Sequence, residues 1–149
     1  MGYVEKNLMP EEKIITTGQI HWIVFAPGVV LLLLGGVFVF EKSTVFGSFL
    51  IVIAIYRLIT AALVFSTTEL AVTSKRVIAK FGFIKRETIE LNLKKVESLN
   101  VSQGMIGRIL SYGTIVINGT GGIKTPIPSI VDPLEFRRKT AEQIALDQA

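Results

Sequence analysis

Residues 22–65 read Trp22-Ile-Val-Phe-Ala-Pro27-Gly28-Val-Val-Leu-Leu-Leu-Leu-Gly35-Gly36-Val-Phe-Val-Phe40-Glu41-Lys42-Ser-Thr44-Val45-Phe-Gly47-Ser-Phe-Leu-Ile-Val-Ile-Ala54-Ile-Tyr56-Arg57-Leu-Ile-Thr-Ala61-Ala-Leu-Val-Phe65. Residues 22–40 are 19 positions without a charge, and residues 45–65 are 21 positions with Arg57 alone. Either run, as a helix, crosses a hydrocarbon core of roughly 30 Å. Only residues 41–44 separate them, which suits two antiparallel helices, and neither run has the polar stripe of a helix at a water boundary. The stretch is therefore predicted to be a transmembrane helical hairpin, with spans at 22–40 and 45–65. A cleaved signal peptide is disfavoured, because Glu5, Glu11 and Glu12 precede the first run and no small-x-small site follows Phe40.

Small residues recur at sevens inside the hairpin: Gly28 and Gly35 in one run, Gly47, Ala54 and Ala61 in the other. A seven-residue step returns to nearly the same helix face. Folding at 41–44 brings Gly35 level with Gly47 and Gly28 level with Ala54, a seam of the kind that lets helices pack closely in lipid. Pro27 falls early in the first helix, where its missing N–H does least harm. Arg57, the intramembrane charge, has two readings: an ion pair with a partner subunit, or a side chain that snorkels beside Tyr56. His21 and Trp22 suit the headgroup level.

Orientation follows from basic residues near the ends of the runs. Lys6, Lys13, Lys75, Arg76, Lys80 and Lys85 lie on one side and Lys42 alone at the tip. Both termini are thus expected in the cytoplasm and the hairpin in the inner membrane. Residues 1–21 form a cytoplasmic N-terminal segment in this reading, and 66–149 a cytoplasmic domain.

The wider composition agrees. The chain has 149 residues, 50% hydrophobic and 19% charged, and a mean hydropathy of +0.54. It has no Cys and one His, which excludes disulfide scaffolds, thiol catalysis and multi-histidine metal sites. The full excess of +4 lies in 66–149. There Ile89, Leu91 and Leu93 alternate with Thr88, Glu90 and Asn92, the period of a half-buried strand. Short runs at 69–74, 76–81, 96–101 and 114–118 read likewise. Gly82 and residues 119–122 mark turns, and Pro126 confines a strand at 123–127 to an edge. A short helix is predicted at 105–110. Asp132-Pro133-Leu134-Glu135 opens a C-terminal helix, with Asp at the N-cap and Pro at its first position. Its inner face is expected to carry Leu134, Ala141, Ile144 and Ala145. Arg137 and Arg138 near its start are read as solvated.

These elements, in order, resemble the bacterial pleckstrin-homology-like membrane proteins of the YdbS-like family. The resemblance rests on Glu69-Leu-Ala-Val-Thr73-Ser-Lys75-Arg76-Val-Ile78, on Gly82 with Arg86 and Glu87, and on Leu91-Asn-Leu93-Lys-Lys95-Val-Glu97-Ser-Leu99. It continues through Gln103-Gly104-Met-Ile-Gly107-Arg108-Ile-Leu110-Ser-Tyr112-Gly113-Thr114. It implies a mainly β, PH-like barrel with a C-terminal capping helix, below the hairpin. The Trp of eukaryotic pleckstrin-homology C-terminal helices is absent; Phe136 is the nearest substitute. No phosphoinositide headgroup spacing is present.

Two candidate surfaces emerge. Lys75, Arg76, Lys80, Lys85 and Arg86 follow the second run closely, and each basic residue near an anionic leaflet contributes about 1 kcal/mol of attraction. They are read as an anionic-surface contact, nonspecific for lipid. Met105, Ile106, Arg108 and Tyr112 are read as a partner contact, to an unknown membrane or cytoplasmic protein or to a second copy. No catalytic or metal residue and no cofactor is assigned, because no triad, nucleophile elbow or phosphate loop occurs. Asn118-Gly-Thr-Gly-Gly122 is too short for a dinucleotide fingerprint, and Glu87 and Glu90 point to opposite faces of a strand. Nucleic acid is disfavoured as a partner. The chain is expected to be a non-enzymatic, membrane-anchored binding or scaffolding protein. An anionic-lipid sensor and a small accessory subunit of a larger complex are the alternatives.

Overall fold

The computed structural model describes residues 2–82, 87–120 and 122–148. They fall into two units: residues 22–66, and residues 1–21 together with 67–149.

The first unit is a pair of helices. A 3-10 turn at Trp22–Phe25 leads into α2 (Ala26–Phe40), with Pro27 in its first turn, and α3 runs Thr44–Thr67. Lys42 takes a positive φ of 62° in the reversal between them. The buried residues are Gly28 and Gly35 on one helix and Gly47, Ala54 and Ala61 on the other. A Cβ on Gly47 would lie 2.8 Å from the Gly35 carbonyl oxygen, so these two glycines do meet. Gly28 instead faces Leu58, one turn beyond the expected Ala54. Phe38 and Phe46 pack edge to face at the tip, and Phe25 and Phe65 sit 5.6 Å apart at the base.

The second unit holds two antiparallel sheets. The first has strand order β1 (Ile14–Gly18), β2 (Glu69–Thr73), β3 (Arg76–Phe81) and β4 (Glu87–Asn92). The second is β5 (Val96–Ser102), β6 (Tyr112–Gly119) and β7 (Ile123–Val131). An isolated bridge between Ile20 and Ile130 links them. Along β6 every second residue is buried, from Gly113 through Ile115 and Ile117 to Gly119, so apolar alternation is what makes this strand. Ile78, Leu93, Ile115, Ile117, Ile127 and Ile130 are the largest side chains of the core. A single turn of helix, α1 (Tyr3–Lys6), places Val4 against Ala71 and Ile78. Between β5 and β6 lies α4 (Met105–Ile109), and α5 (Pro133–Gln148) packs across β1, β5 and β6. As the edge position of Pro126 required, β7 is an outer strand, and it continues four residues past the expected 127.

Three expectations are corrected. Residues 1–21 are not a separate segment: Ile14, Thr16, Thr17 and Gly18 pair with Thr73, Val72, Ala71 and Leu70. The expected inner face of α5 is also wrong, since Leu134, Ala141 and Ala145 are exposed and the buried stripe is Pro133, Phe136 and Thr140. A threonine can be buried there because its hydroxyl donates to the Phe136 carbonyl at 2.7 Å. Phe136 takes the anchoring place, and burying such a ring stabilises by about 1.5–3 kcal/mol. The second apolar helix, expected at 45–65, extends to 44–67.

Candidate functional site

Two of the five residues of the basic cluster, Arg76 and Lys80, are paired with carboxylates inside the fold. Arg76 bridges two carboxylates: its Nε donates to Glu12 Oε1 at 3.0 Å, and its guanidinium also pairs with Glu90. The Glu12 side chain has no exposed surface. It also accepts from the Thr73 hydroxyl at 2.6 Å and from the Met9 N–H at 2.7 Å. Burial by itself pushes the Glu12 carboxyl up, but the bonds from Arg76, Met9 and Thr73 and the Arg76 charge outweigh it and hold the group below its ordinary value. Lys80 stands 3.6 Å from Glu69, its direct cross-strand partner, and 4.7 Å over the Tyr3 ring. Glu69 in turn accepts the Tyr3 and Val4 N–H groups; burial raises its pKa, and these bonds with Lys80 lower it further than burial raises it. Lys75 is exposed and donates to the Pro10 carbonyl at 3.0 Å. Lys85 and Arg86 lie outside the described residues. Arg76 and Lys80 thus balance Glu12, Glu90 and Glu69 inside the fold, while Lys75 keeps an exposed side chain.

The second surface is built as a pedestal. Gln103 leaves β5 and its Nε2 donates to the carbonyls of Gly107, at 3.4 Å, and Tyr112, at 3.1 Å. A Cβ at Gly107 would lie 2.5 Å from the Tyr112 carbonyl oxygen, and one at Gly113 2.8 Å from that of Ser102. Backbone cannot yield at such distances, so only glycine lets α4 sit this close to β6. The Asp132 N–H donates to Ser111 at 2.8 Å and ties the start of α5 to the same corner. On this rigid base the apolar side chains face outward: Met105 is 85% exposed, Ile106 62% and Ile109 81%. Arg108 is exposed beside them, and Leu134 is exposed at the neighbouring helix start. The Tyr112 ring stacks on His21, with centroids 5.2 Å apart. The structure therefore brings together Met105, Ile106 and Arg108, turns Tyr112 inward as a support, and adds Ile109, which the sequence reading left out.

Arg57 is exposed on the outside of the helix pair, in a groove with Pro27, Gly28 and Thr60. Its side chain makes no ion pair among the described residues. Also among them, no three His, Cys, Asp or Glu side chains come together as a metal site would need.

The family model described as bacterial PH domain matches residues 29–144, more than half of the chain and including most of the helix pair. No curated protein and no solved structure gives a match.

Proposed function

The chain belongs to the bacterial PH domain family, and we propose that it is a non-enzymatic, membrane-anchored member, of the YdbS-like kind, that works by binding. One observation carries the anchoring. In a soluble core helix apolar residues are mostly buried, whereas only 11% and 6% of the most apolar windows of the two helices are covered within the protein. Leu33, Phe40, Val45, Phe49, Val52 and Ile59 all face outward. An apolar surface on every side of a helix pair needs hydrocarbon around it.

The pairing of β1 with β2 supports two crossings. Gly18 precedes the helices and Leu70 follows them, yet the two are partners in one sheet, so both flanks share one compartment. The excess of Lys and Arg on these flanks favours the cytoplasm and an inner-membrane location. The binding surface in this reading is α4, whose outward Met105, Ile106 and Ile109 stand beside the exposed Arg108. Internal pairing of Arg76 and Lys80 weakens the alternative of an anionic-lipid sensor built on those residues.

The test is extraction of the full-length protein from membranes. It is expected to stay in the pellet through alkaline carbonate and to enter solution only with detergent; recovery in the carbonate supernatant would overturn the anchoring.

A second reading, an accessory subunit, is favoured by Arg57. An unpaired guanidinium in the middle of a span costs about 2.5–3.5 kcal/mol on insertion scales, which an acidic residue in a partner span would offset. Arg57→Leu is then expected to release the protein from a larger detergent-extracted assembly to a smaller one on native gels. Unchanged migration would dismiss this reading.

A further inference from the structure

We infer that α4 is a third point of attachment to the same bilayer: Met105, Ile106 and Ile109 lie in the boundary between headgroups and acyl chains, with Arg108 on lipid phosphate. The inference rests on the membrane-anchored reading and names the occupant of its binding surface.

Position is the first argument. If α2 and α3 cross the membrane, the chain meets the bilayer boundary between His21 and Trp22. His21 is held in the sheet unit, its N–H donating to the Ser129 carbonyl at 2.6 Å, and its ring stacks on Tyr112. Tyr112 is also the residue whose carbonyl supports α4 through Gln103 and Gly107. The exposed helix therefore stands one ring stack away from the point of membrane entry.

Chemistry is the second. From Gln103 to Gly113 there is no carboxylate, and Arg108 is the one charge. Apolar tips with a single cation complement an anionic lipid interface. Size is the third. A five-residue helix with three outward apolar side chains falls well short of the roughly 800 Å² per partner that a standard protein interface buries. A bilayer sets no such minimum, because each side chain gains on its own. The pedestal adds that nothing has to become ordered on insertion.

The absence of native Cys permits a direct test. Full-length Met105→Cys and Ile109→Cys, labelled with an environment-sensitive nitrobenzoxadiazole dye, are reconstituted in phosphatidylcholine–phosphatidylglycerol vesicles. Lys124→Cys, exposed at the opposite end of β6 and β7, is the reference, and Leu33→Cys in the middle of the first span reports the span itself. Lipids with a nitroxide near the headgroup are expected to quench the dye at 105 and 109 several-fold more than at 124. Quenching at 105 and 109 no greater than at 124 would overturn the inference. A blue-shifted dye at 105 without lipid quenching would overturn it in favour of a second copy, while leaving α4 as the binding surface. Failure of deep-nitroxide quenching at 33 would instead take down the anchored reading. Positions 105 and 109 are exposed, so substitution there leaves the fold intact.

Discussion

Glu12→Ala is expected to destabilise the sheet unit by about 3–5 kcal/mol, the range for removing one partner of a buried ion pair and stranding the other. Its carboxylate joins three pieces of chain: residues 9–12, the end of β2 at Thr73, and the start of β3 at Arg76. Arg76 also donates to the Asn7 carbonyl at 2.7 Å, so the loss loosens the whole segment before β1. Thermal unfolding of the full-length protein in detergent, followed by near-ultraviolet circular dichroism, should show a Tm lower by roughly 10–20 °C. A Tm unchanged in Glu12→Ala would show that the pair does not hold this unit together. The pH dependence has a definite sign. Because the folded carboxyl titrates below its ordinary 4.5, the stability it contributes is present above that value and is lost as pH falls toward the folded one. Glu12→Gln should therefore be less stable than the parent at neutral pH, and the difference should shrink on acidification below pH 4.5. Glu69 contributes in the same direction and remains in both proteins.

Gly47→Leu is expected to separate α2 from α3, while Gly36→Leu has little effect. A Cβ at 47 would sit 2.7 Å from the Val39 amide nitrogen and 2.8 Å from the Gly35 carbonyl oxygen, contacts that only backbone movement relieves. At Gly36 nothing lies within 4 Å. In the membrane-anchored reading, lipid offers no hydrophobic drive to re-form a poorly packed pair, so the lost contact is not recovered elsewhere. Overpacking of this kind costs about 1–3 kcal/mol. Compactness of the pair on denaturing gels and resistance to unfolding in mild detergent both measure this. Equal behaviour of the two leucine variants would contradict the seam.

What could be read from the sequence follows from how local each cause is. The seam was legible because close helix packing demands small residues, and a spacing of seven displays them on one face. Strand β6 was legible because its burial alternates with its own residues. Strand β1 was not: Ile14-Ile15-Thr16-Thr17-Gly18 has no alternation, and its partner lies beyond the whole helix pair. The inner face of α5 was misjudged because residue type favours Leu134 and Ala145 over Thr140, whose polarity is hidden by a bond to its own helix. Charge counting found the basic cluster but not the pairing of Arg76, since Glu12 arrives from a distant segment. Glu69 facing Lys80 was within reach, because a turn at Ser74-Lys75 folds the two residues opposite one another. At α4 the outward Met105 and Ile106 were visible, while the reason for Gly107 and Gly113 needed the carbonyls they meet.

The union of β1 with β2 also orders the birth of the protein. In the membrane-anchored reading, β1 is made before β2, so it must wait for its partner while the translocon receives both apolar helices. If only one helix were threaded, Gly18 and Leu70 would end up in different aqueous compartments and the sheet could not close. On that reading, closure of the sheet depends on correct insertion, and a misthreaded chain would be left with an unpaired strand edge.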